Sequence, residues 1–331
     1  MTDTTPLAVG VVGTGWIGED HLADLAPRPD VKIVAVADVD GDRAAGCAAR
    51  HGARAYSGHA ELLANEELDA LWICTPPQHH REPALAAIDR GVPVYLEKPI
   101  ARDLEDARVI AAAVERGGIV CAVGYQWHSL DLVDKIREAL TGQTVGCVIG
   151  QSVGPTASRP WFLRQNEGGG NILERGSHQI DLTRAVAGEV TSVQVVAGDV
   201  RFGHPGAEQR DIDDALTLIL HLAGGGIATI VVAWTPDGIP GTYSLDVVAT
   251  GGVFHLTLDP HFRMSGTSRG EAVEAVAAAP AFSQSNSRFI EAVRRQDPAG
   301  VACTPADAVR TLAVALAAEE ALTTGQNVPV T

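Results

Sequence analysis

The chain has 331 residues, of which 46% are hydrophobic and 20% charged, and a formal net charge of −16. This length is enough for two domains with real cores, and such acidity argues against a nucleic-acid partner, whose phosphates require a basic face. No apolar run approaches the roughly 18 residues of a transmembrane helix, so no membrane partner is expected. The opening Met1-Thr-Asp-Thr-Thr-Pro6 has no basic segment ahead of its apolar stretch, which reads as a cytoplasmic protein rather than an exported one. Cys47, Cys74, Cys121, Cys147 and Cys303 form no C-x-x-C pair, as expected of reduced, buried thiols.

In chain order, Ala8–Val12 is a short apolar strand that runs into Gly13-x-Gly15-x-x-Gly18, after which a helix begins. In that pattern the first glycine permits a tight turn, the second lets a diphosphate approach the backbone, and the third lets helix and strand pack closely. A second strand, Lys32–Ala37, leads to Asp38, twenty residues after Gly18, where a carboxylate can accept from both ribose hydroxyls of NAD. Asp38 would repel a 2′-phosphate and Val39 offers no cation. Arg43 is equally explained as the exposed face of the following helix, so NAD is expected in preference to NADP. Further strands at 70–74, 94–97 and 120–124 alternate with helices at 42–51, 59–64, 83–90 and 104–116. That alternation predicts an α/β Rossmann domain over residues 1–126 with a mainly parallel sheet. Ligands of such sheets lie beyond the carboxyl ends of the strands, which singles out Thr75-Pro-Pro-Gln-His-His80, Glu97-Lys98-Pro99 and Tyr125-Gln-Trp-His128.

From residue 127 to 331 the pattern predicts an α+β domain. A helix at 131–140 precedes longer strands at 145–153, 192–200, 215–222, 227–234, 243–249 and 252–258, and helices at 283–295 and 305–323 close the chain. Gly224-Gly-Gly226 and Gly251-Gly252 are turns short enough for antiparallel pairing, so a large, open, mainly antiparallel sheet is expected. The final helices are candidates to pack back toward the first domain. Leu216, Leu218, Leu220 and Leu222 line one face of their strand, while 227–234 is apolar on both sides. This apolar surplus predicts a homodimer or homotetramer assembled through the sheet. Gly203–Arg210 reads as a loop.

Two stretches carry chemistry. Lys98, in Glu97-Lys98-Pro99, is either a surface lysine or a side chain that hydrogen-bonds a substrate hydroxyl and favours its alkoxide. The second stretch, Gly168-Gly-Gly170 to Asp181, reads as a helix with Glu174, His178 and Asp181 on one face. His178 there is either structural or a proton acceptor working near neutral pH. Glu174 and His178 at i, i+4 also suit zinc, but no third ligand is evident, so no metal is expected. Trp127, Trp161 and Trp234 are either packing residues or stacking walls for a sugar ring, Trp161 being the preferred candidate beside the glycine triplet.

Taken together, Gly13-Thr-Gly-Trp-Ile-Gly18, Asp38, Thr75-Pro-Pro-Gln-His-His-Arg-Glu82, Glu97-Lys-Pro-Ile100, Gly124-Tyr-Gln126, Trp161-Phe162 and Gly168-Gly-Gly170 through His178 and Asp181 resemble the glucose–fructose oxidoreductase/inositol dehydrogenase/rhizopine catabolism (Gfo/Idh/MocA) family. The resemblance implies an NAD(P)-dependent dehydrogenase acting on a secondary hydroxyl of a sugar, inositol or glycoside. It implies a cofactor site built from Gly13, Gly15, Trp16, Ile17, Gly18 and Asp38. Thr75, Pro76, His80, Glu97, Lys98 and Gln126 would complete that site. Lys98 matches the family's catalytic lysine and His178 its acid/base histidine, with Glu174 as helper. Lys98, Trp127, Trp161, Glu174 and His178 would contact the substrate. Two departures stand out, since Glu174 replaces the family's usual aspartate and His128 stands where an arginine is common. Two other readings are a glycosidase-like lyase that oxidises its substrate transiently with bound NAD, and a cofactor-binding sensor without chemistry. A sensor has no need of both Lys98 and His178.

Overall fold

In a computed structural model of the chain, residues 5–155, 160–199, 211–236 and 238–331 are described, with 160, 161, 166 and 167 described by backbone alone. They fall into two compact units, the chain up to Tyr125 with Phe282–Val309, and Gln126–Ala281 with Arg310–Thr331.

The first unit opens with β1 (Leu7–Val12), α1 (Trp16–Leu25), β2 (Val31–Ala37), α2 (Gly41–His51), β3 (Arg54–Tyr56) and α3 (His59–Asn65). It continues with β4 (Ala70–Ile73), α4 (Arg81–Ile88), β5 (Val94–Leu96), α5 (Leu104–Gly117) and β6 (Cys121–Val123). The strands pair in parallel in the order β3-β2-β1-β4-β5-β6. β4 and β5 are buried at every residue, which is why they read as unbroken apolar runs. Asp40 and Asp103 start α2 and α5 by accepting from the backbone N–H groups of Arg43 and Asp106. β3 went unpredicted because a three-residue edge strand carries no period to read.

The second unit holds α6 (Asp131–Ala139), β7 (Val145–Pro155), α7 (Gln165–Gly168), α8 (Ser177–Ala187) and β8 (Val190–Gly198). Next come β9 (Ala215–Leu222), β10 (Ile227–Thr235), β11 (Thr242–Ala249), β12 (Gly252–Asp259), β13 (Arg263–Ser268) and β14 (Glu271–Val276). The chain ends with α9 (Ala281–Arg295), α10 (Pro305–Thr324) and β15 (Val328–Pro329). The nine strands are ordered β14-β13-β12-β11-β7-β10-β9-β8-β15, and all pairs are antiparallel except β7 with β10. β13 and β14 are additions to the sequence reading. β14 at the edge buries no residue and β13 buries only Met264, so the hairpin has little apolar alternation to betray it. The stretch 203–210 lies outside the described residues.

One face of the nine-stranded sheet is buried. Leu216, Leu218 and Leu220 of β9, Ile230 and Val232 of β10, and Leu245 and Val247 of β11 are at most 3% exposed, each leucine or isoleucine contributing about 1.5–3 kcal/mol. The opposite face carries Ile149, Ile227, Val248 and Val253, all at least 39% exposed. No described helix is long and apolar enough to cross a membrane, and all five cysteines are free thiols.

α9 belongs to the first unit although it follows the second sheet in sequence. Phe289, Ile290 and Val293 join a core with Val9, Val11, Leu22, Leu25, Trp72 and Tyr95, and Phe289 meets Trp72 edge-on at 5.0 Å between ring centroids. Its polar anchor is Asn286, fully buried. Trp72 Nε1 donates to Asn286 Oδ1 at 3.0 Å, and Asn286 Nδ2 donates to Asp24 at 2.8 Å. Asn286→Ala orphans the Trp72 indole and removes a donor from Asp24, and should cost about 1–3 kcal/mol. Urea unfolding should show a lower midpoint at unchanged slope, and an unshifted midpoint would contradict this account.

Candidate active site

The strand order of the parallel sheet reverses between β1 and β4, and the two strands remain bonded to their ends, Cys74 N–H donating to Val12 O at 2.7 Å. The three glycines at the end of β1 have separate causes. Gly13 has φ +90°, and a Cβ there would lie 2.7 Å from the Cys74 backbone. A Cβ on Gly18 would lie 2.0 Å from Gly13 O. Gly15 is different, with φ −68° and nothing within 4 Å of a built Cβ. The fold itself would accept a side chain at Gly15, so the open space suits a ligand against the backbone. The first turn of α1 points its N–H groups and positive dipole end at this spot, which suits a diphosphate. Trp16, 62% exposed, and the partly buried Ile17 border it.

Asp38 follows β2 with its carboxylate nearly enclosed. Thr14 N and Thr14 Oγ1 donate to Oδ2 at 2.8 and 3.0 Å, and Asp40 N donates to Oδ1 at 3.0 Å. Arg43 grips both oxygens, Nε at 3.0 Å and a terminal nitrogen at 2.6 Å. Burial alone would raise this carboxyl, but the Arg43 fork and the Asp40 and Thr14 donors outweigh it and hold the pKa at about 2. Arg43 is therefore more than the exposed face of a helix.

The loop after β4 holds Thr75, partly buried, and Pro76, exposed. His80 is wholly buried, with Nε2 2.7 Å from Thr75 O and Nδ1 3.2 Å from Ile100 O. Burial pushes its pKa down against those acceptors, so His80 braces the loop from within. The Cys74 thiol is pushed well up by burial and the Glu97 carboxylate, and is inert.

Glu97-Lys98-Pro99 follows β5, the neighbour of β4, and the Lys98–Pro99 peptide is cis. Glu97 is buried. Its Oε2 accepts from Lys98 N–H at 3.1 Å and its Oε1 lies 3.0 Å from His21 Nε2. The other nitrogen of His21 lies 2.9 Å from Asn286 Oδ1. Trp72 can only donate and Asp24, when ionised, only accepts, so the Asn286 amide has one orientation and His21 Nδ1 must be its donor. Glu97 is thus fixed from α1 and α9 before Lys98 begins. A Cβ on Gly124 would come within 2.6 Å of Glu97 Oε1, which explains the glycine there.

In the second unit a 3₁₀ turn, Gln126–Ser129, carries Gln126, Trp127 and His128. Trp127 is buried and packs on His178 at 5.2 Å and on Tyr243 of β11 at 6.0 Å between ring centroids. The expected single α-helical run through Glu174, His178 and Asp181 is interrupted at its Glu174 end. Ile172–Gly176 is a π-turn ahead of α8, a feature that often marks functional sites. Asp181 is 1% exposed, bonded to His128 Nδ1 at 3.0 Å and to Thr311 Oγ1 at 3.1 Å. His128 and Asp181 are therefore a structural pair, while His178 and Glu174 stay partly exposed. Arg175 ties the π-turn to the sheet through Gly154 O at 2.8 Å and Ala233 O at 3.2 Å. Trp234 is a core residue packed with Phe162 and Ile212, and the side chain of Trp161 lies outside the described ones.

Sequence reading overlooked Thr14, His21 and Asn286. A histidine three residues beyond Gly18 is the only local signal among them. As for metals, Glu19, Cys47 and His51 place ligand atoms within 4.8 Å of one another. Glu19 is already paired with Arg50, and burial with the Glu19 charge pushes the Cys47 thiol up to about 12, keeping it protonated.

Residues 7–125 match the family described as "Oxidoreductase family, NAD-binding Rossmann fold", and residues 142–255 match the "GFO/IDH/MocA C-terminal domain". Inositol 2-dehydrogenase 3 of Saccharopolyspora erythraea is 40% identical over 119 residues, which span 35% of each chain. The rhizopine catabolism protein MocA of Rhizobium meliloti is 29% identical over 98% of this chain and 97% of its own. A solved structure of levoglucosan dehydrogenase with NADH and levoglucosan superposes with a TM-score of 0.85 at 19% identity, covering 99% of this chain and 100% of that one.

The glycines yield a contrast that tests the cradle. Gly15→Ala should unfold like wild type yet bind NAD at least about tenfold more weakly, because its methyl group fills the diphosphate space. Gly18→Ala should lose about 1–3 kcal/mol of stability from its backbone clash. Isothermal titration and urea unfolding separate the two, and undiminished NAD binding by Gly15→Ala would refute the cradle.

Proposed function

This chain belongs to the GFO/IDH/MocA family of NAD-binding oxidoreductases, and from that premise we propose that it oxidises a secondary hydroxyl of a sugar, inositol or glycoside. The observation that carries the reading is Lys98 held by a buried, doubly anchored Glu97 at the sheet edge that also bears the Gly15 cradle and Asp38. NAD, when bound, supplies the hydride acceptor. His178 takes the hydroxyl proton, and Lys98 donates a hydrogen bond to the oxygen as negative charge develops on it. Glu174 orients or relays. Its longer arm, on a π-turn, sets the carboxylate about one bond beyond the reach of an aspartate. Trp127, packed on His178, offers an apolar wall of the kind sugar rings stack on. A substrate of this class is supported by the full-length likeness to MocA and by the sugar and inositol dehydrogenases among the similar proteins.

NADH formation, screened against inositols, aldoses and glycosides, should identify the substrate. On that substrate Lys98→Ala and His178→Ala should each lose about 10²–10⁴ in turnover while NAD affinity largely survives. Turnover of His178→Ala within about threefold of wild type would remove it from the proton path.

The exposed apolar face of the nine-stranded sheet, with Ile149, Ile227, Val248 and Val253, supports a homodimer or homotetramer formed through it. Light scattering at micromolar concentration should report at least twice the 34.5 kDa chain mass, and a monomer mass would contradict this assembly.

A further inference from the structure

We propose that Arg43 is a displaceable latch on Asp38 that sets the affinity for NAD and the discrimination against NADP. The inference rests on the NAD-binding assignment and is independent of the substrate. Asp38 receives five donors, namely Thr14 N, Thr14 Oγ1, Asp40 N and two nitrogens of Arg43. A carboxylate has about four lone-pair sites, so none is left for a ribose diol. One of the donor groups must leave before Asp38 can accept from the cofactor.

The structure shows which one can. Thr14 is 1% exposed and sits inside the glycine turn, and Asp40 N–H belongs to the residue that caps α2. Moving either would disrupt the β1–α1 turn or the start of α2. The Arg43 side chain is 46% exposed, while its backbone N–H stays fixed on the Asp40 side chain at 3.0 Å. Its guanidinium can swing without disturbing the helix. A second acceptor stands ready, since another guanidinium nitrogen already lies 3.7 Å from Asp40 Oδ2.

When the diol of NAD takes the Asp38 oxygens, Arg43 moves to Asp40 and solvent, so part of the binding energy is spent breaking the latch. When a 2′-phosphate approaches, Asp38, Asp40 and Asp42 oppose it, and Arg43, standing at the same end of α2, is the nearby cation that turns to it. Removing Arg43 therefore has opposite effects on the two cofactors.

The test uses the cofactor-free full chain and no substrate. Wild type, Arg43→Ala and Arg43→Lys are titrated with NADH and NADPH by nicotinamide fluorescence. Arg43→Ala should bind NADH about three- to tenfold more tightly and NADPH at least about tenfold more weakly. Arg43→Lys, a point charge that cannot fork the carboxylate, should also bind NADH more tightly but hold NADPH within about threefold of wild type. Equal changes for both cofactors, or no change, would overturn the latch. Melting temperatures give a readout that a merely structural arginine would not. Arg43→Ala should melt below wild type without cofactor, and the gap should close at saturating NADH. A gap of equal size in both states would mean that Arg43 never leaves Asp38. Failure of wild type to bind either nucleotide would overturn the cofactor assignment itself, an outcome distinct from an unchanged NADH-to-NADPH ratio.

Discussion

The contact between His21 and Glu97 holds the carboxyl edge of the parallel sheet together. It joins α1, whose N-terminus faces the open space at Gly15, to the turn that presents Lys98, at 3.0 Å and out of water. Through Asn286 the same histidine is fastened to α9 and, by way of Trp72, to β4. Tyr95 and Phe282 close over the imidazole at 4.9 and 4.3 Å between ring centroids. A carboxylate buried this deeply needs a partner, because an unpaired charge in such surroundings costs several kcal/mol. The position of Lys98 is thus set by a requirement for electrostatic satisfaction one residue earlier in the chain.

Around that contact the carboxyl edge of the parallel sheet is built from adjacent strand ends. β1 ends in the glycine turn, β4 in the loop braced by His80, and β5 in Glu97-Lys98. Each task uses a different physical device. Close approach requires glycine at Gly13 and Gly18, where no Cβ fits, and openness is kept at Gly15, where one would. Charge is concentrated at Asp38, the acid held far below the usual carboxylate range. The buried Cys74 thiol at this edge stays protonated.

The second unit follows a different logic. Its sheet has one apolar face buried beneath its own helices and another left half-exposed, so the fold positions His178 on one side and offers a surface on the other. His178 stands at the start of α8, where a π-turn widens the backbone and Arg175 grips carbonyls at the ends of β7 and β10. The acid that shares the helix with it, Asp181, is used up by His128 and Thr311. That leaves Glu174 as the carboxylate before the histidine.

Much of this was legible in the sequence, and the limit is one of distance along the chain. The strand–glycine–helix opening, the acid after β2, the lysine turn and the glycine triplet before His178 are local patterns, fixed by backbone sterics and side-chain period within a dozen residues. They were enough for the α/β unit, the antiparallel sheet, the family and the nucleotide cofactor. The period also misled. A run with Glu174, His178 and Asp181 at helical spacing implies one α-helical face, but a π-turn holds Glu174 while His178 and Asp181 lie in α8, and Asp181 is buried on His128. Only the tertiary structure could show that Arg43 occupies Asp38 and not solvent, that His80 and Trp234 serve the interior, or that α9 belongs with the first sheet. His21 finds Glu97 across 76 positions and Asn286 across 265. Pairings of that span are chosen when buried donors and acceptors must all be satisfied at once, and neither composition nor period records that requirement.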